Sequence, residues 1–408
     1  MTRDREARHE RRAGVSDLVV VGVPWNSDEL ETAARAARDL GLRLVVADTA
    51  GNLARLAPSA AFGQLAVPAM TPAALAAAIA ASGARWVVSI TTMRLELAAR
   101  VREALGMPGN PGAVEATVGD KLLTRARLAQ AGLTRVRHWG VARAQVAAVV
   151  RDLPLPVVIK PRTLAGSNGV RLLRAPGDLA DALRSYAADA GDVLIEQYLA
   201  GAEVSVEGLV TDGALTVFAV TDKVNTGPPY FQETGHVMPS RLAAARLGEI
   251  GRYLQDVVTA LGIVTAPVHA EVKLLGDRVE LVEVHTRYGG GNIVALLAHS
   301  AGVDAFGAYF AAVTGAAPPP TRAEPEQTWG VGFFTARVGR ELRWRSFGLP
   351  HPGAVVAIDL DRRRAPKLEE FRGVRVRYWR AGHALFCSRS YQEVYENVTA
   401  MAAAMSDD

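Results

Sequence analysis

The sequence contains a single cysteine, Cys387, which excludes an internal disulfide and a cysteine-ligated metal cluster. This usage suits a reducing compartment, so we expect a cytoplasmic protein. No apolar run approaches the roughly 18 residues that a membrane-spanning helix needs, which argues against a membrane protein. Basic and acidic residues are nearly balanced, 46 against 42, and no basic patch carries interleaved aromatic residues. Nucleic acid is therefore not an expected partner.

Lysine is also scarce, because only five of the 46 basic residues are lysines. Arginine is the default cation of this chain. A position that keeps lysine therefore indicates a site that needs a compact ammonium group rather than a planar fork. The five are Lys121, Lys160, Lys223, Lys273 and Lys367.

Three familiar site motifs are missing. The turn after the first predicted strand, GVPWNS, lacks the GxGxxG dinucleotide fingerprint, so an independent nucleotide site at that turn is not expected. No GxxxxGK[ST] sequence occurs, which excludes a Walker A loop. No GxSxG elbow with Ser, His and Asp partners is present, so nothing indicates a serine nucleophile.

The length of 408 residues predicts two or three domains. Residues 1–15 are predicted to be a disordered charged tail. Strand and helix signals alternate over 16–115, which predicts a small doubly wound α/β domain. The Gly- and Pro-rich segment 106–116 is the predicted linker. The C-terminal region, 319–408, is predicted to be a β-rich module that ends in a helix from Tyr391.

A hairpin carrying two glutamates is the most informative stretch. Apolar and polar residues alternate from Val268 to Leu274 and again toward Val284, around the turn Gly276-Asp277. This spacing places Glu271 opposite Glu283 or within one position of it. Facing carboxylates destabilise a hairpin unless a cation lies between them, and Mg²⁺ bridging carboxylates and phosphate oxygens fits that need. A solvated face with scattered charges is the alternative.

A glycine-bearing loop follows the predicted strand that ends in Lys160. Its small residues, Ala165 to Gly169, allow backbone N–H groups to approach phosphate oxygens, and the lysine adds a point charge. An ordinary hairpin loop is the alternative. Lys121 lies in the first turn of a predicted helix, where a surface lysine is equally consistent with the sequence.

A third stretch, EQYLAGAE, places Glu196 at the end of a strand and Glu203 at the start of the next. Glu203, Ser205 and Glu207 alternate on one face of that second strand. A carboxylate at such a place can accept both ribose hydroxyls, as acidic residues do at nucleotide sites. An exposed strand face explains the pattern equally well.

Taken in order, these motifs resemble those of the ATP-grasp superfamily. The runs FQETGHVMPS and EVHTRYGGGNI further resemble carboxylate–amine ligases of the L-amino-acid ligase type. The resemblance implies an N-terminal α/β domain, an ATP-grasp domain over 116–318 with a small subdomain at about 135–200, and the β-rich module after it. The fold class is thus α/β and α+β, multidomain.

The resemblance implies an ATP site, position by position. Two lysines would contact the phosphates, and the glycine loop would fold over the β- and γ-phosphates. The strand end would read the adenine edge, and Glu203 would bind the ribose. The full set is Lys121, Lys160, Gly166, Ser167, Asn168, Gly169, Glu196, Gln197, Tyr198, Leu199 and Glu203.

The same resemblance implies metal and catalytic residues. Glu271 and Glu283 would hold Mg²⁺, with Mn²⁺ as the second option. Arg287 would stabilise charge on the transferred phosphoryl group and the acyl phosphate. The catalytic set also includes Lys223, in the place of a phosphate-contacting lysine, together with Gly290 and Gly291.

His285 departs from the family pattern, because many relatives have Asn two residues after the second metal-binding Glu. Mg²⁺ prefers oxygen ligands. Two hypotheses therefore stay open: His285 ligates a metal, or it donates to Glu283, which then bridges both ions.

The segment Thr226 to Ser240 is predicted to be a lid that keeps water from an acyl phosphate, because its Gly and Pro residues break regular structure. Glu233 is assigned to a substrate ammonium group. His236 is assigned to a substrate carboxylate or to the proton of the attacking amine.

The expected activity is ATP-dependent amide formation between an amino acid and an amine, through an acyl phosphate, with release of ADP and phosphate. The alternatives are an ATP-grasp carboxylase-type enzyme and a non-catalytic ATP-binding sensor. A homodimer is the default expectation for such an enzyme.

Overall fold

The computed structural model describes residues 16–24, 27–186, 191–319, 327–337, 348–360, 370–371, 374–375 and 378–404. The predicted N-terminal tail, residues 1–15, lies outside these residues. No single described helix is long and apolar enough to cross a membrane; Ile293–Ser300 and Ala305–Thr314 meet that length and composition only as a pair bent by 97°.

The N-terminal part is a parallel sheet with helices on both faces. Alternation along β1 sends Leu18 and Val20 into one core and Val19 and Val21 into the other. The strand order is β3-β2-β1-β4, and the doubly wound prediction is confirmed. The elements are β1 Ser16–Val21, α1 Ser27–Asp39, β2 Leu42–Thr49, α2 Ala50–Leu53, β3 Gly63–Val67, α3 Pro72–Ser82, β4 Trp86–Val88 and α4 Leu95–Leu105.

The second half of the predicted linker contributes to the helix α5, Gly112–Val118. Pro111 supplies the extended N-cap conformation that starts it. Glu115 of this helix is buried and accepts a hydrogen bond from Asn110 Nδ2 at 2.9 Å. The hydrogen bond between Asn110 and the buried Glu115 therefore stabilises a packed helix in a stretch whose composition is typical of a loop. Helix α6, Lys121–Gln130, follows directly, with Asp120 as its cap.

A small antiparallel sheet comes next, in the strand order β5-β8-β6-β7. Its inner face packs on two short helices through Val157, Ile159 and Ile195. The elements are β5 His138–Val141, α7 Val146–Arg151, β6 Val157–Pro161, β7 Arg171–Leu173, α8 Leu179–Leu183 and β8 Val193–Gln197.

A large sheet of eight strands in the order β13-β12-β9-β10-β11-β14-β18-β15 forms the rest. Helix α9 packs on one face of β9 and β12 through Val204, Val206 and Val268. Because side chains alternate along a strand, the polar residues between these valines lie on the opposite face. The elements are β9 Ala202–Thr211, β10 Ala214–Asn225, β11 Glu233–Met238, α9 Ala244–Leu261, β12 Ala266–Leu275, β13 Arg278–His285, α10 Ile293–Ser300, α11 Ala305–Thr314, β14 Thr328–Arg337, β15 Val355–Leu360, β18 Tyr378–Ser388 and α12 Tyr391–Ala404.

The C-terminal strands β14, β15 and β18 extend this same sheet, with β14 paired to β11. Two very short strands, β16 Glu370–Phe371 and β17 Val374–Arg375, pair with each other. The predicted terminal helix begins at Tyr391, as expected. The class, α/β and α+β with several domains, is confirmed, while the domain boundaries stay predictions.

The predicted irregular lid is wrong over Glu233 to Met238, which forms the interior strand β11. Val237 and Met238 are fully buried. Apolar residues at these positions have a sheet neighbour on each side, and this pairing outweighs the loop signal of the flanking glycine and prolines. Within the predicted lid, residues 226–232 and 239–240 remain loop.

Candidate active site

The polar face of the large sheet and the small sheet enclose a cavity of about 370 Å³. Eighteen of the predicted site residues line it, drawn from both sheets, from α6 and from the loop after β6. They are Lys121, Lys160, Gly166, Ser167, Asn168, Glu196, Gln197, Tyr198, Leu199, Glu203, Lys223, Glu233, His236, Glu271, Glu283, His285, Arg287 and Gly290.

Two of the predicted site residues, Gly169 and Gly291, do not line the cavity. The Gly169 carbonyl accepts a hydrogen bond from the buried Tyr186 hydroxyl at 2.6 Å, which anchors the base of the glycine loop. Gly291 lies directly behind the wall, with a φ of +65° that favours glycine. A Cβ there would stand 2.8 Å from Phe333 and 3.1 Å from His236 Nε2, so this position supports the wall.

Glu196 is held by two cations at the small-sheet side. Arg125 Nε lies 2.6 Å and Lys160 Nζ 2.5 Å from its two carboxylate oxygens. Burial raises the pKa of Glu196, but these two cations lower it more, to about 2. The sequence analysis missed Arg125, although it stands four residues after Lys121 and thus on the same face of α6.

The hairpin prediction is confirmed, because Glu271 and Glu283 are direct cross-strand partners in the β12–β13 register. Each carboxylate is compensated by a lysine from another element. Lys223 Nζ lies 2.6 Å from Glu271 Oε1, and Lys121 Nζ lies 2.9 Å from Glu283 Oε1. Burial raises the pKa of both carboxyls, yet the lysines bring that of Glu271 to about 2 and hold that of Glu283 well below its usual range.

Lys223 is the central cation of the cavity. Its Nζ lies 2.7 Å from Glu203, 2.6 Å from Glu271 and 3.4 Å from Glu233. Burial lowers its pKa, but the three carboxylates raise it well above the usual value. Lys273 also contacts Glu203, at 3.1 Å. These lysine ammonium groups thus balance a concentration of buried negative charge.

Arg287 is oriented from outside the large sheet. Its Nε donates to Thr92 Oγ1 at 2.5 Å and its Nη1 to the Tyr288 carbonyl at 2.6 Å. Thr92 belongs to the N-terminal part of the chain, 195 residues away in sequence. No local sequence signal links the two residues, so only the folded chain reveals this contact.

Glu207 and His269 support the hairpin that carries Glu271 and Glu283, and neither is among the site residues predicted from the sequence. His269 Nδ1 lies 2.5 Å from Glu207 Oε1, and the Gly289 N–H donates to Glu207 Oε2 at 3.1 Å. His269 and Glu207 are cross-strand partners. The alternation of Glu203, Ser205 and Glu207 on one face was the signal that could have located this pair.

His285 lies beside the second glutamate. Its Nε2 is 2.7 Å from Glu283 Oε1, and its ring stacks on that of His269 at 6.3 Å between centroids. Burial lowers the pKa of His285, which favours a neutral imidazole. Among the described residues, its Nδ1 has no hydrogen-bond partner.

Glu233, His236 and Arg380 line the cavity together, and Gly291 and Phe333 pack against them. We name these five residues the substrate corner, after the role that the sequence motifs predict for Glu233 and His236. Arg380 Nη2 donates to Glu233 Oε2 at 2.5 Å, and His236 Nε2 lies 3.5 Å from the same oxygen. Arg380 is not among the site residues predicted from the sequence. Its position on β18 gave no motif in an arginine-rich chain.

The donor chemistry of Glu271 and Glu283 fits a hard divalent cation, because both are carboxylates on facing strands. Within the described part of the chain, no three His, Cys, Asp or Glu side chains are close enough together to hold a metal ion by themselves. Phosphate oxygens would therefore supply the remaining ligands, as is usual for Mg²⁺.

Residues 153–295 match the family model of the ATP-grasp domain. The alanine–anticapsin ligase of Bacillus subtilis is 26% identical over 233 residues, 50% of this chain and 49% of that protein. A D-alanine–D-alanine ligase of Anaeromyxobacter sp. (strain Fw109-5) is 30% identical over 157 residues, 36% of this chain and 51% of that protein. The chain thus spans about half the length of the curated relatives it matches.

Solved structures extend the match over the whole fold. An L-amino acid ligase from Bacillus licheniformis superimposes with a TM-score of 0.74 at 21% identity, covering 95% of this chain and 97% of that one. A carboxyaminoimidazole ribonucleotide synthase from Aspergillus clavatus, complexed with ATP, gives 0.72 at 15% identity, covering 95% and 98%. At these identities, the likeness establishes a shared fold.

Proposed function

We propose that this chain, of which residues 153–295 match the ATP-grasp domain model, is an ADP-forming carboxylate–amine ligase that joins an amino acid to an amine, specifically a second amino acid. One observation carries the proposal most directly. Two facing, partly buried carboxylates, Glu271 and Glu283, are each neutralised by a lysine that also lines the cavity. This arrangement suits a site that exchanges internal ion pairs for a metal and phosphates.

ATP binds between the small sheet and the large sheet in this proposal. Lys121 and Lys160 contact its phosphates, and the loop 166–169 covers the β- and γ-phosphates. Gln197, Tyr198 and Leu199 read the adenine edge beyond the Glu196 ion pairs. The Ser167 hydroxyl donates to the Phe231 carbonyl at 2.9 Å, which supports joint closure of the two loops over the nucleotide.

Glu271 and Glu283 hold Mg²⁺, or Mn²⁺, which when bound neutralises phosphate charge. The 2.7 Å contact between His285 Nε2 and Glu283 Oε1 favours His285 as a residue that orients this carboxylate over His285 as a ligand. Glu207 and His269 orient the hairpin in the same way from the other side.

The chemistry needs no side-chain nucleophile. A carboxylate oxygen of the first amino acid attacks the γ-phosphorus of ATP, and the bond to the β–γ bridging oxygen breaks to release ADP. The amine nitrogen of the second substrate then attacks the acyl carbon. The C–O bond to phosphate breaks, phosphate leaves with the electron pair, and the amine loses a proton.

The protein's contribution is charge placement and exclusion of water. Arg287, fixed by Thr92, stabilises the phosphoryl and acyl phosphate charge, with Lys223 and Gly290 beside it. Glu233 binds a substrate ammonium group. His236, whose two ring nitrogens have no hydrogen-bond partner among the described residues, accepts the amine proton or holds a carboxylate.

The carboxylase-type alternative predicts use of bicarbonate, and the sensor alternative predicts ATP binding without turnover. Neither needs the ammonium-binding carboxylate of the substrate corner. A cytoplasmic location and a homodimer complete the proposal.

The test is incubation of the purified protein with ATP, MgCl₂ and pools of single and paired amino acids, with phosphate release and product mass as readouts. Phosphate release that requires an amino acid, with a product lighter by one water than its two components, supports the ligase. Release that requires bicarbonate, or binding of ATP without release, contradicts it.

A further inference from the structure

Arg380 differs from the lysines of the cavity in its exposure. Its side chain is 34% exposed, whereas those of Lys121, Lys160, Lys223 and Lys273 are between 5% and 13% exposed. The lysine ammonium groups are occupied by buried carboxylates. The guanidinium group of Arg380 is therefore more exposed than the ammonium groups of these lysines.

The guanidinium group of Arg380 is held in one orientation. Its Cζ lies 3.8 Å from the centroid of the Phe333 ring, a cation–π contact. Nη2 donates to Glu233, which is its only hydrogen-bond partner among the residues that the structure describes. A guanidinium carries five N–H groups, so most of them remain available to a ligand.

Gly291 makes room for this group. A Cβ at that position would stand 2.7 Å from Arg380 Nη1, and the backbone φ of +65° already disfavours other residues. The absence of a side chain at Gly291 thus lets Nη1 occupy this place beside the cavity wall.

Opposite charges adjoin in the substrate corner. The Glu233 carboxylate and the Arg380 guanidinium are in contact at 2.5 Å. An α-amino acid carries an ammonium and a carboxylate group on one carbon atom. The substrate corner is therefore complementary to an amino-acid head group, because Glu233 is opposite in charge to the ammonium group and Arg380 to the carboxylate.

The two amino acids of a ligation differ at their carboxylates. The first one is phosphorylated, so its carboxylate must reach the phosphates near the metal pair, Glu271 and Glu283. Two intervening residues, Glu233 and then Lys223, connect Arg380 to Glu271 through ion pairs. The carboxylate of the second amino acid does not react and stays available for a guanidinium.

We propose that Arg380 binds the unreacted carboxylate of the amine-donating substrate and so restricts that substrate to amino acids. This inference rests on the proposed function, which it deepens. Planar guanidinium groups bind carboxylates with two parallel hydrogen bonds, which lysine does not reproduce. Amino-acid amides and simple amines, which lack the anion, bind less well for this reason.

The test first isolates the phosphorylation step. Hydroxylamine replaces the second substrate, and ATP-dependent hydroxamate formation identifies the first amino acid and its KM without any acceptor carboxylate. Absence of hydroxamate with every standard amino acid, in the wild-type protein, would contradict the proposed function and the inference together.

The second step compares each standard amino acid with its carboxamide as acceptor, in the wild type, Arg380→Met, Arg380→Lys and the control Arg100→Met. Arg100 lies on α4 with a side chain 50% exposed. We expect Arg380→Met to raise the KM of amino-acid acceptors about 10- to 100-fold, the range for losing a charged hydrogen-bond partner. The KM of carboxamides and the hydroxamate reaction should stay unchanged, with Arg380→Lys intermediate.

Two results would overturn the inference while leaving the ligase intact. One is an unchanged acceptor KM in Arg380→Met, at wild-type thermal stability. The other is loss of hydroxamate formation, or a raised KM of the first amino acid, which would assign Arg380 to the phosphorylated substrate instead.

Discussion

The two ends of the cavity compensate charge in different ways. Around Glu196, Glu271 and Glu283, each buried carboxylate has a lysine or arginine within 3 Å, and these cations are almost fully enclosed. In the substrate corner, the half-exposed Arg380 has one carboxylate partner among the described residues and a ring beneath it.

Under the proposed function, this difference matches a nucleotide site, which binds a constant ligand, and a substrate site, which binds variable ones. Buried ion pairs impose one geometry, because removing either partner leaves an uncompensated charge. A more exposed guanidinium on an aromatic ring tolerates several substrates that share a carboxylate. We therefore expect changes around the glutamates to affect every reaction, and changes in the substrate corner to affect only some substrates.

The largest expected effect is that of Glu283→Gln. Under the proposed function, loss of one of the two facing carboxylates that hold the metal should lower ADP formation by about 10³-fold or more, since charge neutralisation is the main catalytic term in phosphoryl transfer. Initial rates of ADP release with Mg²⁺ measure it, and Glu249→Gln on the surface of α9 is the matched control. Near-normal turnover would remove Glu283 from the metal site.

Glu196→Gln tests the buried ion pairs through stability. Leaving Arg125 and Lys160 without their carboxylate should cost about 3–5 kcal/mol at pH 7. The folded pKa of Glu196, about 2, lies below its usual value of 4.5, so its stabilisation is present above pH 4.5 and is lost as pH falls toward 2.

Urea unfolding from pH 7 to pH 3 measures this effect. The gap between wild type and Glu196→Gln should shrink as the pH falls. A gap that stays constant over this range would contradict the ion-pair account.

Glu233→Gln tests whether the substrate corner acts separately from the glutamate-rich end of the cavity. We expect the KM for amino acids to rise about 10- to 100-fold through loss of the charged partner of the ammonium group, with the KM for ATP little changed. Steady-state kinetics with each substrate varied in turn measure this split. A parallel rise in both constants would mean that the two ends of the cavity do not act separately.

His285→Asn should have the smallest effect, within a few-fold of wild-type turnover, because an amide can also donate to Glu283. Activity in Mg²⁺ and in Mn²⁺ is the measurement. A change in preference between the two metals would instead favour direct ligation by the imidazole.

The sequence by itself determined much of the fold and of the glutamate-rich end of the cavity. The alternation around Gly276-Asp277 predicts the hairpin that pairs Glu271 with Glu283, and the helix signal after Asp120 places Lys121 in its first turn. These features follow from local periodicity and turn chemistry, which any single stretch of chain carries.

Only the tertiary structure decided the residues that act across elements. Thr92 orients Arg287, and Arg125 and Lys160 both contact Glu196. Arg380 contacts Glu233 from a strand that is 147 residues away in sequence. The same holds for β11, which the sequence predicts as part of a lid and which sheet neighbours convert into a buried strand. Such contacts depend on which strands become neighbours, and strand order is a property of the folded chain that local patterns do not encode.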